Sequence, residues 1–372
     1  MRAAGQMTSV VDIDGSYGEG GGQVLRTALA LSTLTGKSTH ITRIRAGRKT
    51  PGLAPQHLTA VLAAAAVCRA DVRGAEIGSM EIVFTPQKAA SGESSFEFDV
   101  AKVSRGGSAG SVTLVLQTIV LPLAFSGRPT ELVLMGGTHV AWSPPYDYFA
   151  DVFLSTLSRM GLDAGCSLAS WGFYPVGCGK ASVRIGGIRP GSGDPPKRSL
   201  RSIHLIERGD LIEVSGRAVA ANLPKDIADR MARRVADILG EKGIEADVAP
   251  LRIGGKSMGA GVFITARYAH ALAGFSALGK KGLPAERVAL DACREFFAFH
   301  KSGAPVDKHL ADQIILPMAV AEGRSEMIVE CVTSHLLTNA HVIRQFVPAT
   351  IEIDGDEGDC GRIVVCGIGM GC

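Results

Sequence analysis

The sequence predicts an α/β fold made of three repeated units, with a smaller α/β domain inserted among them. A Gly-rich or charged loop, a helix-like apolar segment, a glycine break and a strand recur at residues 18–44, 107–138 and 308–335. In each copy the apolar residues have helical spacing before the break, and β-branched residues follow it. Residues 207–303 interrupt this order, so we expect them to form the insert.

The segment between the second and third copies has strand and helix patterns of its own. Helices are indicated at residues 224–243, where proline lies near the start and glycine at the end, and at residues 284–301. Strand-like runs occupy residues 210–221, 245–253 and 259–270. This mixture predicts a small α/β domain.

The bulk composition allows a large buried core and argues against some partners. The chain has 372 residues, of which 46% are hydrophobic and 20% are charged, so extensive disorder is not expected. Its formal charge of +3 is nearly balanced, whereas a protein that coats a long duplex is usually more basic. Local basic clusters remain able to hold a few phosphates.

Cysteine usage and hydropathy indicate a cellular compartment. The eight cysteines are scattered and form no CxxC pair, which predicts reduced structural thiols and no zinc site. The N-terminal residues lack an apolar signal core, and no apolar run reaches the roughly 18 residues that span a bilayer. We therefore expect a soluble cytosolic or nuclear protein.

Common nucleotide-binding motifs are incomplete in this chain. The segments GGKS at 254–257 and TGKS at 35–38 end like a phosphate-binding loop. The first glycine of that motif is missing in both, because Pro250 and Leu31 occupy its position. A different arrangement must bind any nucleotide.

The segment DGSYGEGGGQVLR at residues 14–26 is the first candidate phosphate site. Its glycines expose backbone N–H groups at the start of a helix, where anions bind readily. Glu19 within the loop suits a divalent metal that bridges a carboxylate and a phosphate, and Arg26 could add a phosphate contact. The alternative is an ordinary glycine turn with a surface Glu and Arg.

The segment RIRAGRKTPGLAPQHLTA at residues 43–60 carries a cluster of basic side chains. Arg45 and Arg48 belong to it, and Gln56 with His57 opens the helix that follows. Arginine forks bind phosphate oxygens through two hydrogen bonds. A solvated basic face is the alternative.

Three further segments are rich in polar and aromatic side chains. They are GGTHVAWSPPYDY at 136–148, HLADQ at 309–313 at a helix start, and TSHLLTN at 333–339. The last follows the strand-like run MIVECV, so the pattern predicts that a strand end presents His335.

These motifs resemble those of the RNA 3′-terminal phosphate cyclase family, in the family's order and across almost the whole chain. The matching strings are EGGGQ-x-LR, RAGR-x-x-PGL-x-x-QHL, LVLQT, GGT, HLADQ and SHLLTN. Each is weak alone, and together they are specific. One departure is Val140-Ala141, where many relatives carry Asn-Pro after the glycine pair.

The resemblance implies a fold of three βαβαββ units around a pseudo-threefold axis, with the small domain inserted before the third unit is complete. The implied boundaries are residues 1–205 for the first part of the catalytic domain, with repeats 1 and 2 and the start of repeat 3. Residues 206–303 are the insert, and residues 304–372 complete repeat 3.

The resemblance also implies a ligase and nucleotidyl transferase that uses ATP as substrate with Mg²⁺ or Mn²⁺. Histidine-bound AMP forms first, AMP then moves to an RNA 3′-phosphate, and the neighbouring 2′-hydroxyl closes a 2′,3′-cyclic phosphate. The implied partners are RNA 3′-phosphate ends and no membrane, in the cytoplasm. The oligomeric state is open, a homodimer included.

Carried onto matching positions, the resemblance makes His335 the nucleophile, Asp312 a group that orients His335 or the metal, Glu19 the metal-associated carboxylate, and Arg26 a further catalytic residue. The implied ATP- and AMP-binding residues are His309, as a stacking ring, with Gln313, Gln117, Pro144 and Pro145. The implied RNA-end and phosphate-binding residues are Arg45, Arg48, Gln56 and His57. Asn339 is expected to line the pocket.

Two other functions remain open at this point. One is a catalytically inactive cyclase-like protein that acts in ribosome biogenesis and lacks the nucleophilic histidine. The other is an enolpyruvyl transferase, which is built from similar repeats and forms no protein–AMP adduct. Transfer of label from α-labelled ATP to the protein distinguishes all three.

Overall fold

Four four-stranded sheets and the helices packed on them form the part of the chain that the computed structural model describes, which is residues 10–87, 94–103, 108–191, 198–224 and 226–371. The fold is of the mixed α/β class, as predicted. Each predicted repeat segment contains its helix followed by its strand.

The first sheet is formed near the N-terminus. Its elements are β1 (Val11–Asp14), α1 (Gly22–Thr35), β2 (Thr39–Thr42), α2 (Pro55–Cys68), β3 (Asp71–Arg73) and β4 (Ile82–Thr85). The strand order is β1-β2-β4-β3, in which β1 and β2 are parallel and the other neighbours are antiparallel. Helix α1 ends at Gly36, whose φ of 69° is a left-handed conformation that glycine adopts without strain.

The second sheet follows the same pattern. Its elements are β5 (Ser95–Asp99), α3 (Val112–Ala124), β6 (Thr130–Gly136), a π-helical segment (Tyr148–Leu154), α4 (Ser155–Arg159), β7 (Leu162–Ser170) and β8 (Gly179–Ile188). The order is β5-β6-β8-β7, again with one parallel and two antiparallel pairs. Ser111 caps α3 by accepting a hydrogen bond from the Leu114 N–H.

The next elements along the chain form a sheet of their own, and we call them the fourth unit. Strand β9 (His204–Leu205) precedes it, and its elements are β10 (Leu211–Ala221), α5 (Asp226–Gly240), β11 (Asp247–Ile253), β12 (Gly259–Tyr268), β13 (Leu272–Leu278) and α6 (Ala285–Ser302). Its sheet has the order β11-β10-β12-β13, which differs from the other three. Its buried core is separate and contains Met231, Phe275, Phe296 and Phe299. The domain boundaries at 205/206 and 303/304 stay predictions.

The third sheet combines β9 with strands from the C-terminal part of the chain. The remaining elements are α7 (Lys308–Val320), β14 (Glu322–Val329), α8 (Ser334–Phe346), β15 (Thr350–Asp354) and β16 (Gly361–Ile368). The order is β15-β16-β14-β9, and β9 pairs in parallel with β14.

The predicted position of His335 at a strand end is wrong. Strand β14 ends at Val329, and His335 lies in the first turn of α8. Thr333 is the reason, because its side chain accepts a hydrogen bond from the Leu336 N–H at 3.0 Å and so starts a helix. The run MIVECV therefore leads into a helix N-terminus.

One hydrophobic core joins the first three sheets. Helices α1, α2, α3, α7 and α8 contact one another in pairs and contribute most of the buried side chains. Among the helices of the described residues, none combines the length and apolar character that crossing a bilayer requires. The seven described cysteines are free thiols.

A buried polar cluster joins the fourth unit to the loop after β6. The His139 ring is fully buried, and its Nε2 lies 2.7 Å from Asp147 Oδ2. Arg217 of β10 donates a hydrogen bond to the other Asp147 oxygen. The His139 ring also packs on Trp171 and Phe263, so this contact is both polar and aromatic.

We predict that Arg217→Ala weakens this contact. Loss of the guanidinium leaves the nearly buried Asp147 carboxylate without its cation, and the free energy of unfolding should fall by about 1–2 kcal/mol, less than for a fully buried pair because Arg217 is half-exposed. Urea denaturation measures the change. Arg267→Ala removes an exposed ion pair with Glu213 in the same sheet and should change stability by no more than about 0.5 kcal/mol. Equal effects of the two variants would contradict the prediction.

Candidate functional site

The glycine loop before α1 meets the start of α8, and this contact creates the site. Gly18 has a φ of 62°, and a Cβ at this position would overlap the Thr338 hydroxyl. Only glycine therefore allows this approach. The loop then places Glu19 directly against His335.

Glu19 holds a histidine and an arginine at once. Its Oε1 lies 3.0 Å from His335 Nε2, and its Oε2 accepts a hydrogen bond from Arg48 Nη2 at 2.7 Å. The His335 side chain is 43% exposed and therefore accessible to a substrate. Burial lowers the pKa of His335, although Glu19 opposes this effect. The imidazole is consequently neutral near pH 7, and a neutral imidazole keeps a nucleophilic lone pair.

Arg26 and His57 flank Gly22 at the start of α1. A Cβ on Gly22 would overlap the His57 ring and come within 2.8 Å of Arg26 Nη1. Burial, with help from the charges of Arg26 and Arg45, lowers the pKa of His57 to about 3. Burial also lowers the pKa of Arg26, to about 10, so this side chain stays cationic at neutral pH. Arg26 Nε is buried and has no hydrogen-bond partner among the described residues.

The other two predicted phosphate-binding residues adjoin this pair. Arg45 has a φ of 54° and donates from Nη1 to the Gly52 carbonyl at 2.7 Å. Burial, and then the charge of Arg48, lowers the pKa of Arg45. Gln56 Oε1 accepts a hydrogen bond from the Ser111 N–H at 3.0 Å. Of the predicted RNA-end residues, the structure thus places Arg48 against Glu19 and His57 near Arg26 and Arg45.

Asn339 is a buried hub of three helices. Its Oδ1 accepts hydrogen bonds from Thr27 Oγ1 at 2.6 Å and Gln23 Nε2 at 3.0 Å, and its Nδ2 donates to the Asp312 carbonyl at 2.6 Å. It borders the cleft, as predicted, but it is only 2% exposed and chiefly joins α1, α7 and α8. No local sequence signal pairs residues 27 and 339.

The Asp312 carboxyl lies in the same cleft and is held in an unusual state. Burial raises the pKa of Asp312 well above its ordinary value, repulsion from Asp307 adds to this, and Arg26 opposes it. Burial thus shifts the titration of this carboxyl towards higher pH. Among the described side chains, Glu19 makes the contact with His335, so an orienting role for Asp312 stays a prediction.

The predicted nucleotide-binding residues of α3 and α7 are joined by hydrogen bonds. Gln117 Nε2 donates to Gln313 Oε1 at 2.6 Å, and Gln313 Nε2 donates to the His309 carbonyl at 2.7 Å. The His309 ring is accessible and meets Tyr148 edge-on, with ring centroids 6.4 Å apart. Gln117, Gln313, Asp312 and Arg26 line one cleft.

Asp307 anchors α7, and sequence reasoning did not single it out. Its Oδ1 accepts hydrogen bonds from the His309 N–H at 2.9 Å, the Leu310 N–H at 3.0 Å and the Tyr148 hydroxyl at 2.8 Å. Its Oδ2 is buried and has no partner among the described residues. Burial raises the pKa of Asp307 to about 6. An Asp before HLADQ is a helix-capping signal that could have revealed it.

Pro144 and Pro145 lie in the loop between β6 and the π-helical segment. The Pro144 carbonyl accepts a hydrogen bond from Thr113 Oγ1 at 2.7 Å, and Pro145 is buried. At the departure from the family pattern, Val140 is buried and Ala141 is exposed. Val140, Ala141 and Pro145 line a cavity that is separate from the cleft with Gln117 and Gln313.

The metal prediction can be tested against the donor set. Within the described ranges, no three His, Cys, Asp or Glu side chains gather as a protein-only metal site. Glu19 offers one carboxylate, and both its oxygens already contact His335 and Arg48. Mg²⁺ is often held by one or two carboxylates while substrate phosphates complete its coordination. The residues therefore fit a cation that binds together with phosphate.

Comparison with known proteins gives a consistent result. A family model described as RNA 3′-terminal phosphate cyclase matches residues 17–353. An RNA 3′-terminal phosphate cyclase of Methylococcus capsulatus is 47% identical over 362 residues, which cover 97% of this chain and 96% of that protein. One from Pyrobaculum aerophilum is 41% identical over 358 residues, which cover 93% of this chain and 98% of that protein.

A solved structure also aligns with the chain. The enolpyruvyl transferase NikO from Streptomyces tendae has a TM-score of 0.37 and 10% identity, over 98% of this chain and 50% of that one. A likeness at this level carries no argument about function.

We predict that Asp307→Asn removes one source of pH dependence. The raised pKa means that Asp307 favours the folded state fully below pH 3.8, and that this contribution is lost as the pH rises towards 6. The stability of the variant relative to the parent should therefore rise over this window, by up to about 3 kcal/mol. Denaturant unfolding at pH 4, 5, 6 and 7 measures the difference. Glu97→Gln, at an exposed carboxylate, is the matched control, and a pH-independent difference for Asp307→Asn would contradict the prediction.

Proposed function

This chain belongs to the RNA 3′-terminal phosphate cyclase family, a family of ligase-type enzymes that use ATP, and we propose that it converts an RNA 3′-terminal phosphate into a 2′,3′-cyclic phosphate through histidine-bound AMP and an RNA-(3′)pp(5′)A intermediate. The observation that carries the proposal is the accessible imidazole of His335, which contacts Glu19, whose other carboxylate oxygen binds Arg48.

The fold is proposed to consist of three βαβαββ copies around a pseudo-threefold axis. Its support is the strand order of the first three sheets, which is identical when strands are numbered within each unit, with the same parallel and antiparallel pairs. The third copy starts with β9 and resumes at α7, so the intervening unit is an insert within it.

In the first step His335 attacks the α-phosphorus of ATP. A P–N bond forms while the bond to pyrophosphate breaks. The His309 ring stacks on the adenine, and Gln117 with Gln313 borders the nucleotide. Phosphoryl transfer depends mainly on positioning and charge stabilisation. Arg48 contributes positive charge near the nucleophile, because it binds the Glu19 carboxylate that also contacts His335.

In the second step an oxygen of the RNA 3′-phosphate attacks the histidine-bound phosphorus. The P–N bond breaks, His335 returns to its neutral form, and RNA-(3′)pp(5′)A is released to the last step. Arg26 and Arg45 bind the terminal phosphate. The ring of His57 is neutral, so it contributes a hydrogen bond and no charge.

In the last step the terminal 2′-hydroxyl attacks the activated 3′-phosphorus. The bond to AMP breaks and the cyclic phosphate forms. A phosphate monoester oxygen leaves poorly, whereas AMP leaves readily, so the earlier steps supply the leaving group. The attacking oxygen is tethered beside the phosphorus, which gives the step an intramolecular advantage.

Glu19 is the residue proposed to hold a divalent metal, Mg²⁺ or Mn²⁺, together with substrate phosphate oxygens. Such a cation neutralises phosphate charge when bound. When no cation is bound to this carboxylate, Glu19 orients the His335 ring through Nε2 and holds Arg48 nearby.

The other candidate functions lack support of this kind. The inactive cyclase-like proteins lack the nucleophile, whereas this chain has His335 accessible in its site. An enolpyruvyl transferase would need no histidine of this kind. The cytoplasmic location and the oligomeric state stay predictions.

We predict that His335→Ala abolishes acid-labile labelling of the protein by α-labelled ATP while the protein stays folded. His309→Ala should retain labelling but need more ATP, because the loss of a stacking ring costs on the order of 1 kcal/mol. His270→Ala, at an exposed histidine in the fourth unit, is the control. Full labelling of His335→Ala, or loss of labelling only in His309→Ala, would reverse the assignment.

We also predict that an oligonucleotide with a 2′-deoxy, 3′-phosphate end accepts AMP and then stops as the adenylated species. Activation needs only the phosphate monoester, whereas cyclisation needs the 2′-hydroxyl. A matched ribose end should proceed to the cyclic phosphate, and mass spectrometry distinguishes the products. The activation-first order is wrong if the deoxy end is never adenylated although the ribose end cyclises.

A further inference from the structure

Trp142 is an exposed aromatic side chain that the proposed chemistry does not use. It is 99% exposed, and its φ of 62° is uncommon for a residue other than glycine. Such backbone conformations are often found at functional sites, where the surrounding structure maintains them. An exposed indole at this position is therefore a candidate ligand-binding surface.

The loop around Trp142 is held firmly on both sides. The Tyr146 N–H donates to the Thr138 carbonyl at 2.9 Å and closes the loop, and Ser143 Oγ donates to the Val140 carbonyl at 2.9 Å. Thr113 holds the Pro144 carbonyl as described above. These hydrogen bonds fix the conformation of the loop and keep the indole exposed.

The indole borders a cavity of about 280 Å³ between this loop and the fourth unit. The lining residues are Val140, Ala141, Trp142, Ser143, Pro145, Ser276 and Leu278. None of them is charged, so the cavity suits a flat, weakly polar group. A nucleobase has these properties and stacks well on tryptophan.

A chain of hydrogen bonds leads from a proposed RNA-end residue, Gln56, to the loop that carries Trp142. Gln56 accepts from the Ser111 N–H at 3.0 Å, Ser111 Oγ lies 2.8 Å from Thr113 Oγ1, and Thr113 donates to the Pro144 carbonyl at 2.7 Å. Three hydrogen bonds therefore connect Gln56, one of the predicted RNA-end residues, to the loop that carries Trp142.

Exposed lysines adjoin the strand that contributes Ser276 and Leu278 to the cavity. Strand β13 ends at Leu278, and the exposed Lys280 and Lys281 follow directly. The exposed Lys256 precedes β12, which pairs with β13. None of these lysines forms an ion pair within the described part of the chain. Positive charge beside an uncharged cavity matches a nucleic-acid strand, whose phosphates alternate with its bases.

We propose that this cavity binds a nucleobase of the RNA upstream of its terminal phosphate, with Trp142 as the stacking surface. The proposal rests on the proposed function for the identity of the RNA end. The RNA would then pass between the loop after β6 and strand β13 of the fourth unit.

Tryptophan fluorescence tests the proposal without catalysis. The chain has two tryptophans, so the difference between the parent protein and Trp142→Phe isolates the signal of Trp142. A 3′-phosphorylated ribo-oligonucleotide should quench that signal. In a series of oligonucleotides with one abasic site each, the quenching should disappear when the stacked base is the one removed. Equal quenching of the parent and Trp142→Phe would overturn the proposal.

Kinetics give the second measurement. Trp142→Ala should raise the KM for the oligonucleotide by roughly tenfold, and Trp142→Phe should restore most of the affinity, since base stacking on an aromatic ring has about this value. Ile212→Ala removes an exposed apolar side chain near the start of β10, which does not line the cavity, and should leave KM unchanged. An unchanged KM in Trp142→Ala would also overturn the proposal.

The two proposals fail in different ways. Absence of protein–AMP in the parent, with Trp142 quenched by RNA, refutes the histidine-AMP mechanism and supports the base site. Labelled protein whose Trp142 is not quenched by any oligonucleotide keeps the mechanism and refutes the base site.

Discussion

The site depends on one buried amide. Asn339 joins α1, α7 and α8, and each of these helices carries a different part of the site: Arg26 on α1, Asp312 on α7 and His335 on α8. Because the amide both accepts and donates hydrogen bonds, it favours a single relative placement of the three helices. Arg26, Asp312 and His335 are therefore positioned by rigid helices, whereas Glu19, Arg45 and Arg48 come from loops.

Burial also decides the charge of the site. It favours the neutral forms of Asp312, His57 and His335, whereas Arg26 remains cationic. The result is a cleft in which positive charge is only partly opposed, chiefly by Glu19, and such a cleft favours phosphate-rich substrates.

Local signals made much of this arrangement predictable from the sequence. Glycines and prolines marked where α1 and α2 begin, and the repeated helix-then-strand order predicted the α/β class. The sequence did not reveal the role of Asn339, because its partners are distant in the chain. Asp307 has a local capping signal, but its contact with Tyr148 is equally distant. His335 was placed on a strand end because the apolar run before it outweighed the single capping residue, Thr333, that starts a helix.

The pairing of β9 with β14 affects the order in which the chain can assemble. His204 and Glu326 are partners across this pair, with the whole fourth unit between them. Closing so long a loop is entropically costly while the intervening chain is unfolded. The fourth unit has its own core, and its early folding would shorten the effective loop. During synthesis the predicted phosphate-binding arginines therefore emerge long before His335, and the site is completed only when the last helices have left the ribosome.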